Sequence, residues 1–185
     1  MQRQQLEHAA KIINQGGIVA YPTESCFGLG CDPRNNAAIR RLLHIKRRSY
    51  EQGLIIIGAG YNQIKMYIAY AENDIPEAVS DSWPGPHTWL LLARAGVSRW
   101  LRGEHPTIAV RVTAHGGAAA LCRYAGKAIV STSANRHGYA PARNTESVTK
   151  EFGKLIDYVL SGQIGSFHKP SEIRDAVSGQ IVRAA

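Results

Sequence analysis

The chain has 185 residues, enough for one domain with a buried core. Apolar residues make up 44% and charged residues 19% of the chain, a balance typical of a globular protein and unlike that of a disordered one. The formal net charge of +8 favours an anionic partner such as nucleotide phosphates, RNA or an acidic protein.

The same sequence argues against a membrane protein, a protein with a side-chain metal site and a disulfide-bonded protein. No apolar run approaches the roughly 20 residues of a membrane-spanning helix, and the N-terminal stretch lacks the apolar centre of a secretory signal. We therefore expect a cytoplasmic protein with no membrane contact. Cys26, Cys31 and Cys122 are odd in number and show no CxxC spacing, which predicts free thiols over a zinc site or disulfide framework. No histidine pair has metal-ligand spacing, so no metal site built from side chains is predicted.

Apolar periodicity predicts helices and strands that interleave along the chain. A helix over about residues 3–15 begins it, because Leu6, Ala9 and Ile13 fall at helical spacing and Gly16 can end the helix. A buried strand at 17–22 ends at Pro22. Further helices are predicted at 35–48, 61–71, 73–83, 116–126 and 145–153, with Thr145 as the N-cap of the last. Further strands are predicted at 53–60, 88–93, 107–112 and 128–131. Residues 82–88 are predicted as a loop, and short strands or extended segments are predicted at 154–162, 171–177 and 180–184.

This order of elements predicts an α/β fold. No internal repeat or linker-like stretch divides the chain, so we expect a single domain over residues 1–185. The elements do not alternate as strictly as in a doubly wound fold. The prediction is therefore one twisted, mixed sheet flanked by helices.

Several common catalytic motifs are missing. The sequence contains no GxxxxGK[ST] phosphate loop, no GxGxxG after a strand and no GxSxG elbow. Ordinary P-loop, dinucleotide-binding and α/β-hydrolase sites are thus excluded. Ser131 and Ser133 are poor nucleophiles, because nothing in the local pattern supplies a base.

Polar side chains nevertheless follow an apolar strand in AIVSTSAN, residues 128–135. The strand ends in Ser131, Ser133 and Asn135, whose hydroxyl and amide groups are short hydrogen-bond donors. Lys46 and Arg48 lie near the end of a predicted helix and by themselves could simply be solvated. Taken with the hydroxyl and amide donors, these cations match what a chain of phosphates requires.

Arg111 lies inside the predicted strand TIAVRV, so its guanidinium faces one side of the sheet. A buried arginine costs several kcal/mol unless a carboxylate or phosphate meets it. Two interpretations stay open from the residues alone. One is an internal salt bridge with Glu24 or Asp175, and the other is a bidentate clamp on a substrate carboxylate.

With these clusters the chain resembles the YrdC family, and in particular its short members. The matching stretches stand in the family's order and reach nearly from end to end: YPTESCFGLGCDP, LLHIKRR, GLIII, WPGPHT, TIAVRVTAH, IVSTSAN and PSEIRDAVSGQIVR. The resemblance implies a YrdC-like α/β fold with a broad, positively charged cleft.

The same resemblance implies a nucleotidyltransferase reaction. ATP, L-threonine and bicarbonate would give threonylcarbamoyl-adenylate and pyrophosphate, with Mg²⁺ accompanying ATP. The adenylate would feed a tRNA-modifying threonylcarbamoyl-transfer complex, which acts on ANN-decoding tRNAs. Whether the chain itself touches tRNA is left open.

Site residues are implied position by position. The family's Lys-x-Arg and Ser-x-Asn signatures fall on Lys46, Arg48, Ser133 and Asn135, which are the expected catalytic residues. The expected threonine-binding residues are Thr23, Arg111, Ser131 and Ser171. The expected ATP-binding residues are Lys46, Thr107, Ser133, Pro141, Arg143 and Arg183.

The chain departs from the family pattern at three places. Ser49 stands where proline is common, Gly53 lies where a basic residue or proline is usual, and His137 replaces a serine. A different class of function also stays open: an RNA-binding module acting in tRNA or ribosome maturation through the positive charge. A third alternative is a carbamoyl-transfer protein of hydrogenase maturation, although the segments that accompany the fold there are not seen in this sequence.

Overall fold

A computed structural model describes residues 2–136, 138–167, 169 and 171–184. Within these ranges the chain forms nine strands in one mixed sheet. The strands are β1 (Val19–Pro22), β2 (Phe27–Gly30), β3 (Ile55–Gly58), β4 (Thr88–Leu92), β5 (Thr107–Val112), β6 (Ile129–Ser133), β7 (Tyr158–Val159), β8 (Ile173–Asp175) and β9 (Ile181–Arg183), and their spatial order is β7-β1-β2-β6-β3-β5-β4-β8-β9.

Helices cover both faces of this sheet. They are α1 (Arg3–Asn14), α2 (Asn36–Lys46), α3 (Tyr61–Ile64), α4 (Glu77–Asp81), α5 (Arg99–Arg102), α6 (Gly116–Ala125) and α7 (Thr145–Phe152), with short 3₁₀ helices at Tyr50–Gln52 and Glu72–Asp74. The predicted α/β domain with a mixed sheet flanked by helices is thereby confirmed. No helix in the described ranges combines the length and the apolar character needed to cross a bilayer.

Strand alternation divides the core between the two faces. Ile56 and Val130 point to the face covered by α2 and α7, where Leu42 and Phe152 are fully buried. Ile57 and Ile129 point to the opposite face, which α1 and α6 cover. Each fully buried aliphatic side chain contributes about 1.5–3 kcal/mol to folding. On this second face the two helices cover only one end of the central strands, and the other end is left for a cleft.

Strand β2 was not predicted from the sequence. It contains two glycines, which are uncommon in strands, yet it pairs antiparallel with both β1 and β6. Glycine is required at residue 30 by close packing, since a Cβ there would lie 2.4 Å from the carbonyl oxygen of Val130. Gly30 therefore allows the strands to pack closely.

Two helix predictions need correction, and one helix was missed. The predicted helix 61–71 ends at Ile64, because Ala69 donates a backbone hydrogen bond to Leu92 and Ile68 bridges to the chain just beyond β4. Helix α5 was not predicted. The N-cap of α7 is Asn144 and not Thr145, since the Asn144 side chain accepts a hydrogen bond from the Ser147 backbone N–H.

The three cysteines are buried free thiols, as predicted. Burial raises the pKa of Cys122 from 9.0 to about 12. A thiol whose pKa is raised on folding stabilises the fold fully below its unfolded pKa, and this stabilisation is lost as the pH rises towards the folded pKa. For Cys122 that loss falls between pH 9 and 12.

We expect Cys122→Ala to reduce this pH dependence. Between pH 8 and pH 10 the loss of unfolding free energy should be about 1 kcal/mol smaller in the variant than in the wild type. Denaturant unfolding at both pH values, with a reductant present, measures the difference. A variant that kept the full pH dependence would contradict this role of the buried thiol.

Candidate active site

A cleft with a cavity volume of about 270 Å³ opens over the uncovered part of the sheet. Its floor follows from the strand register. Ile55 of β3 pairs with Ala109 of β5 on one side and with Ser131 of β6 on the other, and Leu90 of β4 pairs with Ala109. These four side chains point to one face, and all line the cleft.

Strand β5 sets the two ends of the cleft. Thr107, Ala109 and Arg111 alternate along it and line the cleft, while Ile108 and Val110 are buried in the core on the other face. At about 3.3 Å per residue, Thr107 and Arg111 lie about 13 Å apart along the strand. The predicted ATP contact at Thr107 and the predicted threonine contact at Arg111 thus lie at opposite ends.

Arginine side chains dominate the charge of the cleft. Arg48, Arg102, Arg111 and Arg183 line it, and no lining residue in the described chain is an aspartate or glutamate. The pKa of Arg183 is lowered, first by burial and then by the positive charges of Arg48 and Arg111. Like charges held this close favour a bound anion.

The alternative of an internal salt bridge at Arg111 is realised in part. Nη2 of Arg111 lies 3.4 Å from Oε2 of Glu24, and both residues are 6% exposed. The other oxygen of Glu24 accepts a hydrogen bond of 2.6 Å from the Thr113 hydroxyl. Asp175 takes no part, since its side chain accepts bonds from Val177 and Ser178.

This ion pair leaves hydrogen-bonding capacity unused. Within the described chain, Nε of Arg111 and Oε2 of Glu24 are buried without a hydrogen-bond partner. An unsatisfied buried polar atom costs about 1–3 kcal/mol. Since Arg111 also lines the cleft, the ion pair orients its guanidinium without occupying all of its donors.

Lys46 is the last residue of α2, and its ammonium holds the end of β6. Its Nζ donates to the carbonyl oxygens of Ser133 and Asn135, the latter at 2.8 Å, and lies 3.3 Å from Oδ1 of Asn135. Burial and the nearby Arg48 lower the pKa of Lys46 to about 8. Because an ammonium has three donors, these contacts use all of its donor capacity.

The Asn135 side chain is also held by hydrogen bonds within the protein. Its Oδ1 accepts from the Ser133 hydroxyl, and its Nδ2 donates to the carbonyl of Tyr139 at 2.7 Å. Of this group only Ser133 lines the cleft. Lys46 and Asn135 therefore shape the loop after β6 and position Ser133.

Arg48 lies two residues beyond the end of α2. The residue between them, Arg47, adopts a left-handed backbone conformation with a φ of 51°. One end of the Arg48 guanidinium donates to the Gly53 carbonyl at 3.0 Å, and its Nε is buried without a partner in the described chain. Burial lowers the pKa of this group. Gly53 precedes β3, so Arg48 lies at the Thr107 end of the cleft.

The hydroxyl groups predicted to bind threonine also reach the cleft. Thr23, Ser131 and Ser171 all line it. The Thr23 hydroxyl donates to the Cys26 carbonyl, and Ser171 accepts from Thr88. Arg183 of β9 donates to the Ser171 carbonyl at 2.8 Å and so ties the two ends of the β8–β9 hairpin together.

Not every predicted site residue lines the cleft. Lys46 and Asn135 lie behind its wall, and Pro141 and Arg143 lie in the loop between β6 and α7 without lining it. His137 falls outside the described residues. Conversely, sequence reasoning missed the cleft residues Gln52, Leu101, Arg102 and His105. The available signal was the cation-rich stretch RWLRGEH directly before β5.

Comparison with known proteins agrees with this architecture. The model of the Sua5, YciO and YrdC family, described as "Telomere recombination", matches residues 11–185. A protein of Nitrosococcus oceani named threonylcarbamoyl-AMP synthase is 51% identical over 175 residues, which cover 95% of either chain. A protein of the same name from Methylobacillus flagellatus is 46% identical over 183 residues, 99% of either chain.

Solved structures show the same fold. P. abyssi Sua5 complexed with L-threonine superposes with a TM-score of 0.91 at 27% identity, covering 99% of this chain and 54% of the Sua5 chain. This chain thus spans about half the length of Sua5. E. coli YciO, at 24% identity and a TM-score of 0.85, shares the fold over 98% of this chain and 89% of its own. The chain belongs to the Sua5/YciO/YrdC family.

Proposed function

We propose that this protein is an L-threonylcarbamoyladenylate synthase, which forms threonylcarbamoyl-AMP and pyrophosphate from ATP, L-threonine and bicarbonate. The observation that carries the proposal is the cleft with four arginines, a row of hydroxyl groups and no lining carboxylate in the described chain. The arginines also support the positive charge expected of the cleft. The names of the full-length relatives point to the same reaction.

The Arg111 end of the cleft suits the amino acid. An arginine with an unpartnered buried Nε can bind a carboxylate with charge-assisted hydrogen bonds. Thr23, Ser131 and Ser171 add hydroxyl groups near it. That Sua5 has been solved with L-threonine bound supports this assignment.

The Thr107 end suits the nucleotide. Arg48 and Ser133 would contact the phosphates, Lys46 and Asn135 would hold Ser133 in place, and the remaining ATP contacts would come from Thr107, Pro141, Arg143 and Arg183. Bicarbonate takes up a proton and loses water to give carbon dioxide, and the neutral amine of threonine adds to this carbon dioxide with release of one proton. The resulting carbamate oxygen attacks the α-phosphorus of ATP. The bond from the α-phosphorus to its bridging oxygen breaks, and pyrophosphate leaves with the electron pair. Catalysis would rest on positioning and charge neutralisation.

Mg²⁺ is part of this proposal as a companion of ATP. The described chain holds no cluster of three His, Cys, Asp or Glu that could bind a metal, and the neutral oxygen donors among the cleft side chains are hydroxyl groups and the Gln52 amide. These residues fit an ion held mainly by phosphate oxygens and water. When bound, it would neutralise phosphate charge.

The proposal extends to the next step in the cell. The adenylate is a reactive mixed anhydride, so a tRNA-modifying threonylcarbamoyl-transfer complex would consume it. We place the reaction in the cytoplasm, where ATP and tRNA are available.

Pyrophosphate release by the purified protein tests the proposal. We expect release from ATP only when threonine and bicarbonate are both supplied, with serine as a matched control that lacks the methyl group and reacts more slowly. Release without threonine, or none under any condition, would contradict it. RNA binding that collapses with salt and tolerates loss of Ser133 would favour the RNA-binding alternative.

A further inference from the structure

Helix α5 forms one wall of the cleft, although it has only four residues. Leu101 is 1% exposed and anchors the helix in the core. The Leu54 backbone N–H donates to the Leu101 carbonyl at 2.7 Å, which ties α5 to the start of β3. The position of the next side chain, Arg102, is thus fixed by the core.

The two arginines of α5 have different surroundings. Arg99 is exposed and stacks over Tyr50 and Trp100, with centroid distances of 5.6 and 5.7 Å. Arg102 is half-buried and lines the cleft. Its Nη1 donates a hydrogen bond to the His105 carbonyl at 2.6 Å, and no carboxylate in the described chain lies within ion-pair distance.

Arg102 and Arg48 flank the same backbone unit. A Cβ placed on Gly53 would lie 3.2 Å from the carbonyl oxygen of Arg102, so the two backbones are in contact. Arg48 donates to the carbonyl of the same glycine. Arg48 and Arg102, which both line the cleft, therefore start from adjoining backbone segments at its Thr107 end, and the buried Nε of Arg48 has no partner in the described chain.

The position of Arg102 next to Arg48 points to a second cation that could bind the triphosphate of ATP. Arg111 lies at the opposite end, about 13 Å away along β5, and its charge is partly met by Glu24. The triphosphate of ATP carries more negative charge than one arginine can neutralise. Among the cleft arginines, Arg102 is the one next to Arg48 along the backbone contact at Gly53, and no ATP contact has yet been assigned to it.

We propose that Arg102 is a further substrate-binding residue, which contacts the β- and γ-phosphates of ATP and then the pyrophosphate leaving group. The inference deepens the proposed function and rests on it for the identity of the nucleotide. The free guanidinium donors of Arg102 would form charge-assisted hydrogen bonds to phosphate oxygens. They would stabilise the charge that develops on the leaving group as the bond to the α-phosphorus breaks.

Calorimetric titration with inorganic pyrophosphate tests the site without turnover. We expect Arg102→Ala to weaken pyrophosphate binding about 10- to 100-fold, the effect of one charge-assisted interaction. The pyrophosphate affinity of Arg102→Lys should fall between those of the wild type and the alanine variant, because a lysine keeps the charge and loses the bidentate geometry of the guanidinium. Arg99→Ala, on the same helix and with the same change in net charge, should bind within about twofold of the wild type.

Steady-state kinetics add a second readout. Arg102→Ala should raise the KM for ATP and leave the KM for threonine unchanged. Unaltered pyrophosphate binding in a folded Arg102→Ala protein, or an equal loss in Arg99→Ala, would overturn the inference. If the wild type bound pyrophosphate through Arg102 yet formed no adenylate from threonine, the Arg102 site would stand and the proposed reaction would fall.

Discussion

Arg48→Ala should reduce threonine-dependent pyrophosphate release by about 100- to 1,000-fold. Arg48 is half-buried at the phosphate end of the cleft, with one bond to the Gly53 carbonyl and a buried Nε that has no partner in the described chain. A preorganised charge of this kind acts most strongly on the charge that develops in the transition state. The kcat, measured by coupled pyrophosphate detection, should carry most of the loss.

The fold should survive this substitution. Arg48 has no carboxylate partner in the described chain, so alanine leaves no unpaired acid behind. Arg47→Ala is a matched control, because residue 47 is exposed and alanine keeps the Cβ in its left-handed backbone. Near-normal turnover in a folded Arg48→Ala protein would contradict the role given to Arg48.

Loss of Arg111 should raise the KM for threonine about 100-fold and change the KM for ATP little. The reason is position: Arg111 lies at the end of β5 opposite to Thr107 and has a buried donor available for a carboxylate. Arg111→Ala alone would leave Glu24 buried without its counter-ion, a cost of about 3–5 kcal/mol in stability. The double variant Glu24→Gln/Arg111→Ala avoids that cost.

Glu24→Gln alone separates orientation from binding. If Glu24 only orients the guanidinium, Glu24→Gln should raise the KM for threonine less than the double variant does. Should the constants for ATP and threonine move equally in the double variant, the carboxylate-clamp role of Arg111 would be wrong. Thermal unfolding of each variant checks that the fold is intact.

The sheet and most of its strands were predictable because their apolar patterns are local. TIAVRV became β5, with Arg111 on the face opposite to Val110, as alternation requires. Strand β2 was not predictable, since its glycines are required by close packing against Tyr21 and Val130, which belong to other strands. Helix α5 was missed because one buried leucine among arginines gives no helical period.

Within the site, residue types were easier to predict than contacts. The cations and hydroxyl groups were recognised from their places at strand ends and from the family resemblance. The sequence could not show that the Lys46 ammonium donates its hydrogen bonds to Ser133 and Asn135, because the contact with Ser133 joins residues 87 positions apart in the chain. Nor could it decide between the two interpretations of Arg111, and the structure contains elements of both: an ion pair with Glu24 and a place in the cleft wall.

Mass detection of the product tests the central claim most directly. The purified protein, given ATP, Mg²⁺, L-threonine and ¹³C-labelled bicarbonate, should form an adenylate whose mass contains one threonine and one labelled carbon. Omission of threonine should remove this species. An adenylate without the label, or none at all while the protein is folded and binds ATP, would contradict the account.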